Sequence, residues 1–125
     1  MFDILVVEDD VNLNQIYCST LNNNSFNAVP AFDGEEALNI MAEKNFDLVI
    51  SDIMMPCVDG YELTRQLRDY YPELPILMIS AKEGFEDKRH GFLAGIDDYM
   101  VKPVDLNEMI LRIHALLRRA KIVSE

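Results

Sequence analysis

Short apolar runs alternate along this chain with segments in which apolar residues recur every three or four positions. Such runs are typical of strands that are covered on both faces of a sheet. The candidate strands are residues 4–7, 27–31, 48–50, 76–79 and 99–101. The remaining segments have helical spacing, and the fourth helix is predicted over 86–94. The predicted order of elements is therefore βαβαβαβαβα.

This alternation favours an α/β fold with a doubly wound, five-stranded parallel sheet. Right-handed crossovers have to place helices on both faces if both faces are to be covered. In such sheets, ligands bind beyond the carboxyl ends of the strands, where the strand order reverses. The residues that directly follow each predicted strand are therefore the candidates for chemistry.

Length and composition indicate one soluble domain. The chain has 125 residues, and 50% of them are hydrophobic, which is enough for a single core.

Cys18 and Cys57 lack a CxxC spacing, and we expect both thiols to stay reduced. Every apolar run is far shorter than the ~20 residues of a membrane span, and the N-terminus lacks a signal-peptide pattern. We expect a cytoplasmic protein without a membrane partner.

The chain is strongly acidic, with 11 basic and 22 acidic side chains and a formal net charge of -11. A protein that binds duplex nucleic acid needs at least one basic face, because neutralising phosphates provides most of the non-specific affinity. We therefore do not expect this chain alone to bind DNA.

Several of the acidic residues follow predicted strands. Glu8, Asp9 and Asp10 come after the first strand, and Asp52 comes after the third. Crowded carboxylates repel one another unless a hard cation neutralises them, and Mg²⁺ fits this set of ligands. A plainer interpretation is that these residues are loop acids and helix caps, and Asp10 is well placed to cap the first helix.

Asp52 is the best candidate for a nucleophile. It follows the central strand and opens a loop that contains Pro56 and Gly60, two residues typical of shaped turns. A carboxylate beside a divalent cation and a lysine ammonium can attack phosphorus and form an acyl phosphate. Lys102 follows the last strand, and its bond to Pro103 is a candidate for the cis form. The alternative for Lys102 is a surface lysine at a turn.

The order of these motifs resembles the receiver domain of two-component response regulators over essentially the whole chain. The matching segments are 4–10, 47–56, Asp59 with Gly60, Ser80 with Ala81, 97–99, and Lys102 with Pro103. Motifs at the ends of successive strands are together highly specific. The resemblance implies a flavodoxin-like strand order of 2-1-3-4-5 and a receiver domain over residues 1–119.

The resemblance also implies a role for each matching residue. Asp52 would accept a phosphoryl group from a phosphohistidine on a sensor histidine kinase. Lys102 would pair with the phosphate, while Ser80 and Tyr99 would form the switch, although the family more often has Thr at the Ser80 position. The domain would be a signalling domain that catalyses only its own phosphorylation and dephosphorylation, and not an enzyme that turns over other substrates.

A magnesium site is part of the same resemblance. The implied ligands are Glu8, Asp9, Asp52 and the backbone carbonyl of Met54. Mn²⁺ or Ca²⁺ are expected as possible substitutes for Mg²⁺.

The second half of the chain is similar to the winged-helix, OmpR/PhoB-type transcriptional regulators. The residues that carry this similarity are Lys88, 95–99, Glu108, Arg112 and 115–119. It implies that residues 120–125 begin a linker to a C-terminal DNA-binding domain that this sequence does not include. DNA would then be contacted only through that further domain.

We further expect phosphorylation to promote a homodimer through the fourth helix, fifth strand and fifth helix. The expected pairs across a two-fold axis are Lys88 with Glu108, Asp98 with Arg112, and Asp97 with Arg118 or Arg119. Ile96, with Leu93 or Ala115, would form the apolar centre of the interface. The competing interpretation is that these charges pair within one chain or only solvate a helix.

Two other classes of function compete with a signalling domain. A phosphatase or phosphotransferase with an aspartyl-phosphate intermediate would need a second acid two residues after Asp52, where Met54 stands. A flavodoxin-like redox module would need a phosphate-binding loop after the first strand, but Glu8, Asp9 and Asp10 would repel a cofactor phosphate. The sequence therefore favours the signalling domain.

Overall fold

The computed structural model describes residues 1–56 and 58–124, with side chains as far as Ala120. Within these residues, five parallel strands form one sheet in the order β2-β1-β3-β4-β5, and five helices connect and follow them. The strands are β1 (Asp3–Val7), β2 (Asn27–Ala31), β3 (Leu48–Ser51), β4 (Ile76–Ser80) and β5 (Asp98–Val101). The helices are α1 (Val11–Asn23), α2 (Gly34–Glu43), α3 (Gly60–Tyr70), α4 (Phe85–Ala94) and α5 (Leu106–Ser124). The predicted fold class and strand order are confirmed.

Side chains alternate between the two faces of the sheet, so each strand contributes to two layers of the core. Leu5 and Val7 point into the layer that α2 and α3 cover, and Ile4 and Val6 point into the layer that α1 and α5 cover. All four side chains are fully buried. This two-sided burial is the reason that the central strands read as continuous apolar runs.

Aspartates begin several of the helices. The side chain of Asp10 accepts a hydrogen bond from Leu13 N, as expected for a cap of α1. Asp33 and Asp59 cap α2 and α3 in the same way. Part of the acidic excess therefore stabilises helix ends, and these residues lie beside the carboxyl edge of the sheet.

Gly91 interrupts the helical pattern of α4 because the helix passes close to the sheet there. A Cβ atom on Gly91 would lie 2.8 Å from Ile96 Cδ1 and 3.3 Å from Met78 Sδ. Ile96 is only 6% exposed, since it packs under α4. The expectation that Ile96 lies at the centre of a dimer interface is therefore wrong.

The helix α5 continues to Ser124, so the segment predicted to begin a linker is helical over 120–124. Glu125, the last residue of that segment, and Cys57 lie outside the described residues, and the domain boundary stays a prediction. Cys18 is a free thiol. Within the described part of the chain, none of the helices combines the length and the apolar character that crossing a bilayer would require.

The turn between α1 and β2 contains Ser25, which has a φ of 68°. A residue other than glycine in this left-handed region is strained by about 1–2 kcal/mol. Ser25→Gly should therefore raise the free energy of unfolding, by about 0.5–1 kcal/mol after the greater flexibility of glycine in the unfolded chain is deducted. Urea denaturation measures the change. Asn24→Gly, at the neighbouring position with a φ of -106°, is the matched control and should lower stability.

Candidate functional site

The ammonium group of Lys102 lies between two buried carboxylates at the carboxyl edge of the sheet. Its Nζ is 2.7 Å from Glu8 Oε1 and 2.8 Å from Asp52 Oδ2. Glu8 is 2% exposed and Asp52 is 7% exposed. Lys102 follows β5 and is bonded to Pro103 by a cis peptide bond, the form that the sequence suggests. Lys102 is therefore part of a buried ionic cluster and not a simple surface lysine.

Asp9 completes a group of acids that could hold a metal ion. In the described part of the chain, one carboxylate oxygen from each of Glu8, Asp9 and Asp52 lies within 4.8 Å of the others. Asp9 is exposed, and it lines an open cleft of about 550 Å³ together with Met54 and other residues. These hard oxygen ligands and this open side, where water could complete the coordination, fit a small divalent cation such as Mg²⁺.

At each of Glu8 and Lys102, burial and the hydrogen bonds of neighbouring groups shift the pKa in opposite directions. Burial raises the pKa of Glu8, and hydrogen bonds from Lys102 and the Asp10 N–H offset this only in part. For Lys102, burial disfavours the charge, but the hydrogen bonds and negative charges of Asp52 and Glu8 outweigh it and raise the pKa. Lys102 therefore stays cationic at neutral pH.

The loop after β3 folds back so that its backbone N–H groups contact the side chain of Asp52. Asp52 Oδ1 accepts a hydrogen bond of 2.6 Å from Ile53 N and lies 3.4 Å from Met54 N. Gly60 N donates to Ile53 O at 2.8 Å, which ties the start of α3 to this loop. A Cβ atom on Gly60 would lie 2.1 Å from Asp52 O, so only glycine fits this approach.

Ser80 and Tyr99 both contact the backbone of Lys82, in the loop after β4. The buried Ser80 Oγ accepts a hydrogen bond from Lys82 N at 3.2 Å. The Tyr99 hydroxyl donates to Lys82 O at 2.6 Å, and its ring is buried in the core. The structure thus brings the two predicted switch residues, at the end of β4 and in β5, into contact with one loop that leads into α4.

The charges on the fifth strand and helix pair within the chain. Arg112 Nη1 is 3.0 and 2.9 Å from the two oxygens of Asp98. Its Nη2 lies 3.6 Å from Glu108, one helical turn away. In the single chain, Asp98 and Arg112 pair with each other because β5 lies beside α5. The expected pairing of Asp98 with Arg112 across a two-fold axis stays a prediction.

Asp97 is also paired within the chain, but with a residue that the sequence does not indicate. Its Oδ2 accepts from Arg68 Nη2 at 3.1 Å and from Ile76 N at 2.8 Å. Arg119 lines the same cleft of about 230 Å³ as Arg68 and Asp97. Lys88 Nζ lies 6.0 Å from the centroid of the Tyr99 ring. Within the chain the partner of Asp97 is thus Arg68. The contact of Asp97 with Arg118 or Arg119 of a second chain stays a prediction.

Asn14 is a further residue of the site that the sequence motifs do not single out. It is fully buried, and its side-chain amide donates to the backbone carbonyl of Glu8 at 3.1 Å. Its spacing from Tyr17 and Leu21, which also face the core, is the signal that could have placed it inward.

Comparison with known proteins agrees with this arrangement. The family model for the response regulator receiver domain matches residues 4–114. The chain therefore belongs to the response regulator receiver domain family, a class of signalling domains of two-component systems.

Curated relatives include the heme response regulator HssR of Staphylococcus epidermidis, which is 40% identical over 125 residues, or 100% of this chain and 55% of that protein. The response regulator MprA of Mycobacterium ulcerans is 41% identical over 122 residues, or 98% of this chain and 53% of that protein. The chain thus spans about half the length of the curated relatives it matches.

Solved receiver domains have the same fold. The receiver domain of the Francisella response regulator 1452 superposes with a TM-score of 0.90 and 34% identity, and the match covers 95% of this chain and 98% of that one. A CheY-like receiver domain from Methanospirillum hungatei gives a TM-score of 0.92 at 24% identity, with 97% of each chain covered, and supports the fold alone.

The close approach of Gly60 to Asp52 leads to a prediction. Gly60→Ala should displace the backbone of Asp52 and lower the free energy of unfolding by about 1–3 kcal/mol, as overpacking of a core does. Urea denaturation measures the loss. Gly84→Ala is the control, because its Cβ would meet only the flexible Asp87 side chain at 3.2 Å. Equal losses in the two variants would contradict the assigned role of Gly60.

Proposed function

We propose that this chain is the phosphoryl-accepting receiver domain of a cytoplasmic transcriptional response regulator, and that Asp52 is the acceptor. The observation that carries the proposal is the grouping of the Lys102 ammonium and the Glu8 and Asp9 carboxylates around Asp52 at one edge of the sheet. The donor is a phosphohistidine on a sensor histidine kinase. Membership of the receiver family and the similarity to full-length response regulators support this function.

The transfer forms one bond to phosphorus and breaks another. An oxygen of Asp52 attacks the phosphorus atom, the P–N bond to the histidine breaks, and the imidazole leaves with the electron pair and takes up a proton from solvent. The product is an aspartyl phosphate. The Lys102 ammonium can follow the charge from the carboxylate to the phosphoryl oxygens, because a lysine side chain is flexible and its donors can rotate.

The acidic residues would hold Mg²⁺. Glu8, Asp9, Asp52 and the backbone carbonyl of Met54 are the proposed ligands, with Mn²⁺ or Ca²⁺ as possible substitutes. When bound, the ion supplies positive charge that offsets the negative charge on the transferred phosphoryl oxygens. When every side chain is ionised, the negative charge of Glu8, Asp9 and Asp52 is greater than the positive charge of Lys102. A bound cation neutralises the excess negative charge.

The proposed output path runs from Ser80 through the loop after β4. A phosphoryl group on Asp52 adds about -1.5 to -2 charges and strong hydrogen-bond acceptors. The Ser80 hydroxyl can donate to one of these oxygens, and its movement toward the phosphoryl group would disturb the bond that it accepts from Lys82 N. Because Tyr99 also holds Lys82, the rearrangement would reach α4 and β5 together.

The face formed by α4, β5 and α5 is the proposed dimer surface. Leu93 on α4 and Leu111 on α5 are each 70% exposed, so both helices leave apolar surface to bury. Asp97 and Asp98 have short ion pairs within the chain. The contact of Glu108 with Arg112 is longer, at 3.6 Å, so we assign the choice of partner chiefly to Lys88 and Glu108. A dimer would bring two attached DNA-binding domains onto adjacent half-sites.

The assignment of Asp52 predicts the product of phosphorylation. Incubation with acetyl phosphate or a phosphohistidine donor and Mg²⁺ should add one phosphoryl group to the parent protein and none to Asp52→Asn, because the amide is not a nucleophile. Intact-mass measurement detects the adduct. Asp47→Asn, which alters an acid before β3 at the opposite end of that strand, is the control and should be phosphorylated normally. A full adduct on Asp52→Asn would refute the assignment.

Charge reversal tests the proposed dimer. Lys88→Glu and Glu108→Lys should each weaken phosphorylation-dependent dimerisation by roughly tenfold, because a two-fold axis repeats the pair and each rim ion pair contributes about 0–1 kcal/mol. Sedimentation velocity with Mg²⁺ and acetyl phosphate measures the dimer. The double variant should recover it. A double variant as weak as the two single variants, or a parent that stays monomeric, would exclude this pair from the mechanism.

A further inference from the structure

The side chain of Asn14 lies fully buried in the first turn of α1 and contacts the carboxyl ends of two strands. Its Nδ2 donates to the backbone oxygens of Val6 at 3.2 Å, Glu8 at 3.1 Å and Ala31 at 3.0 Å. Val6 belongs to β1, Glu8 follows it, and Ala31 ends β2. One amide group therefore joins α1 to neighbouring strands at the edge where the acidic residues lie.

These contacts hold both the backbone N–H group and the backbone carbonyl group of Glu8. The Ala31 oxygen that accepts from Asn14 also accepts from Glu8 N at 3.0 Å. The Glu8 oxygen accepts from Asn14 directly. Because Asp9 is bonded to that carbonyl group, the positions of the Glu8 and Asp9 side chains both depend on the amide of Asn14.

The orientation of the amide is determined by its surroundings. Asn14 Oδ1 lies 3.2 Å from Cys18 Sγ, which donates to it. Burial raises the pKa of the Cys18 thiol to about 11, so the thiol keeps its proton at neutral pH and remains a donor. The flipped amide would set Oδ1 against several carbonyl oxygens, which would repel it.

We infer that Asn14 is a positioning residue for the acidic pair: it holds the main chain of Glu8 so that the Glu8 and Asp9 carboxylates converge with Asp52 on one divalent ion. This inference rests on the magnesium site of the proposed function. Asn14 acts through the backbone, in the way that partners of metal ligands do elsewhere. Removing such partners typically weakens metal binding by about 10- to 100-fold.

The test compares two substitutions in α1. Asn14→Leu keeps a neutral side chain of similar size but removes both N–H donors, and it should weaken Mg²⁺ binding by at least about tenfold in isothermal titration calorimetry. Leu21→Ala is the control, because Leu21 is fully buried in the core on the same helix, seven residues after Asn14. Its Mg²⁺ affinity should match that of the parent. Circular dichroism establishes that each variant is folded under the conditions of the titration.

A measurement on the unsubstituted protein covers the case in which Asn14→Leu does not fold. In NMR spectra, the side-chain amide protons of Asn14 should exchange slowly with solvent and shift as Mg²⁺ is added. The exposed amide of Asn23 should do neither. Absence of a shift at Asn14 would overturn the inference.

Other outcomes separate this inference from the proposed function. A folded Asn14→Leu that binds Mg²⁺ as tightly as the parent, or an equal loss in Leu21→Ala, would overturn the positioning role alone. A parent protein that binds no Mg²⁺ would overturn both the positioning role and the proposed metal site.

Discussion

The contact of one lysine ammonium with two buried carboxylates is the interaction on which the rest of this structure depends. A buried charge is costly unless it is paired and hydrogen-bonded, so Glu8, Asp52 and Lys102 have to meet closely. They follow β1, β3 and β5, which come from distant parts of the chain. Parallel strands bring these three points to one edge, and the order β2-β1-β3-β4-β5 places β1 beside β3 there.

The surroundings of this cluster hold it in place from several directions. Asn14 fixes the main chain at Glu8, and Gly60 lets α3 begin against the backbone of Asp52. Lys82 connects Ser80 to Tyr99 and so connects the edge of the sheet to α4. The acidic cluster is thus in contact with α1 on one face of the sheet and with α3 on the other.

Local patterns in the sequence were sufficient to predict the elements and most residues of the candidate site. Continuous apolar runs indicated the strands because both faces of the sheet are buried, and Asp10 was recognisable as a cap from its place before α1. The residues at strand ends could be grouped because the fold class determines where those ends meet. The strand order and the proposed role of each residue came from the resemblance to receiver domains.

Contacts between distant side chains could not be predicted in this way. Arg68 and Asp97 are far apart in sequence, and no spacing rule connects the end of α3 with the start of β5. Asp98 and Arg112 were expected to pair between chains, since a charge pattern does not say whether its partner lies in the same molecule. Asn14 was overlooked because a polar residue in a helix is usually exposed, and its partners are backbone oxygens that a sequence does not display.

The proposed role of Asp52 as phosphoryl acceptor is tested most directly on the unsubstituted protein by chemical trapping. Borohydride reduces an aspartyl phosphate to homoserine, and peptide mass spectrometry then identifies the residue that carried the phosphoryl group. After phosphorylation in the presence of Mg²⁺, homoserine should be found at position 52 and at no other acidic residue. Homoserine at Asp9, at another acid, or at none of them would contradict the proposed function.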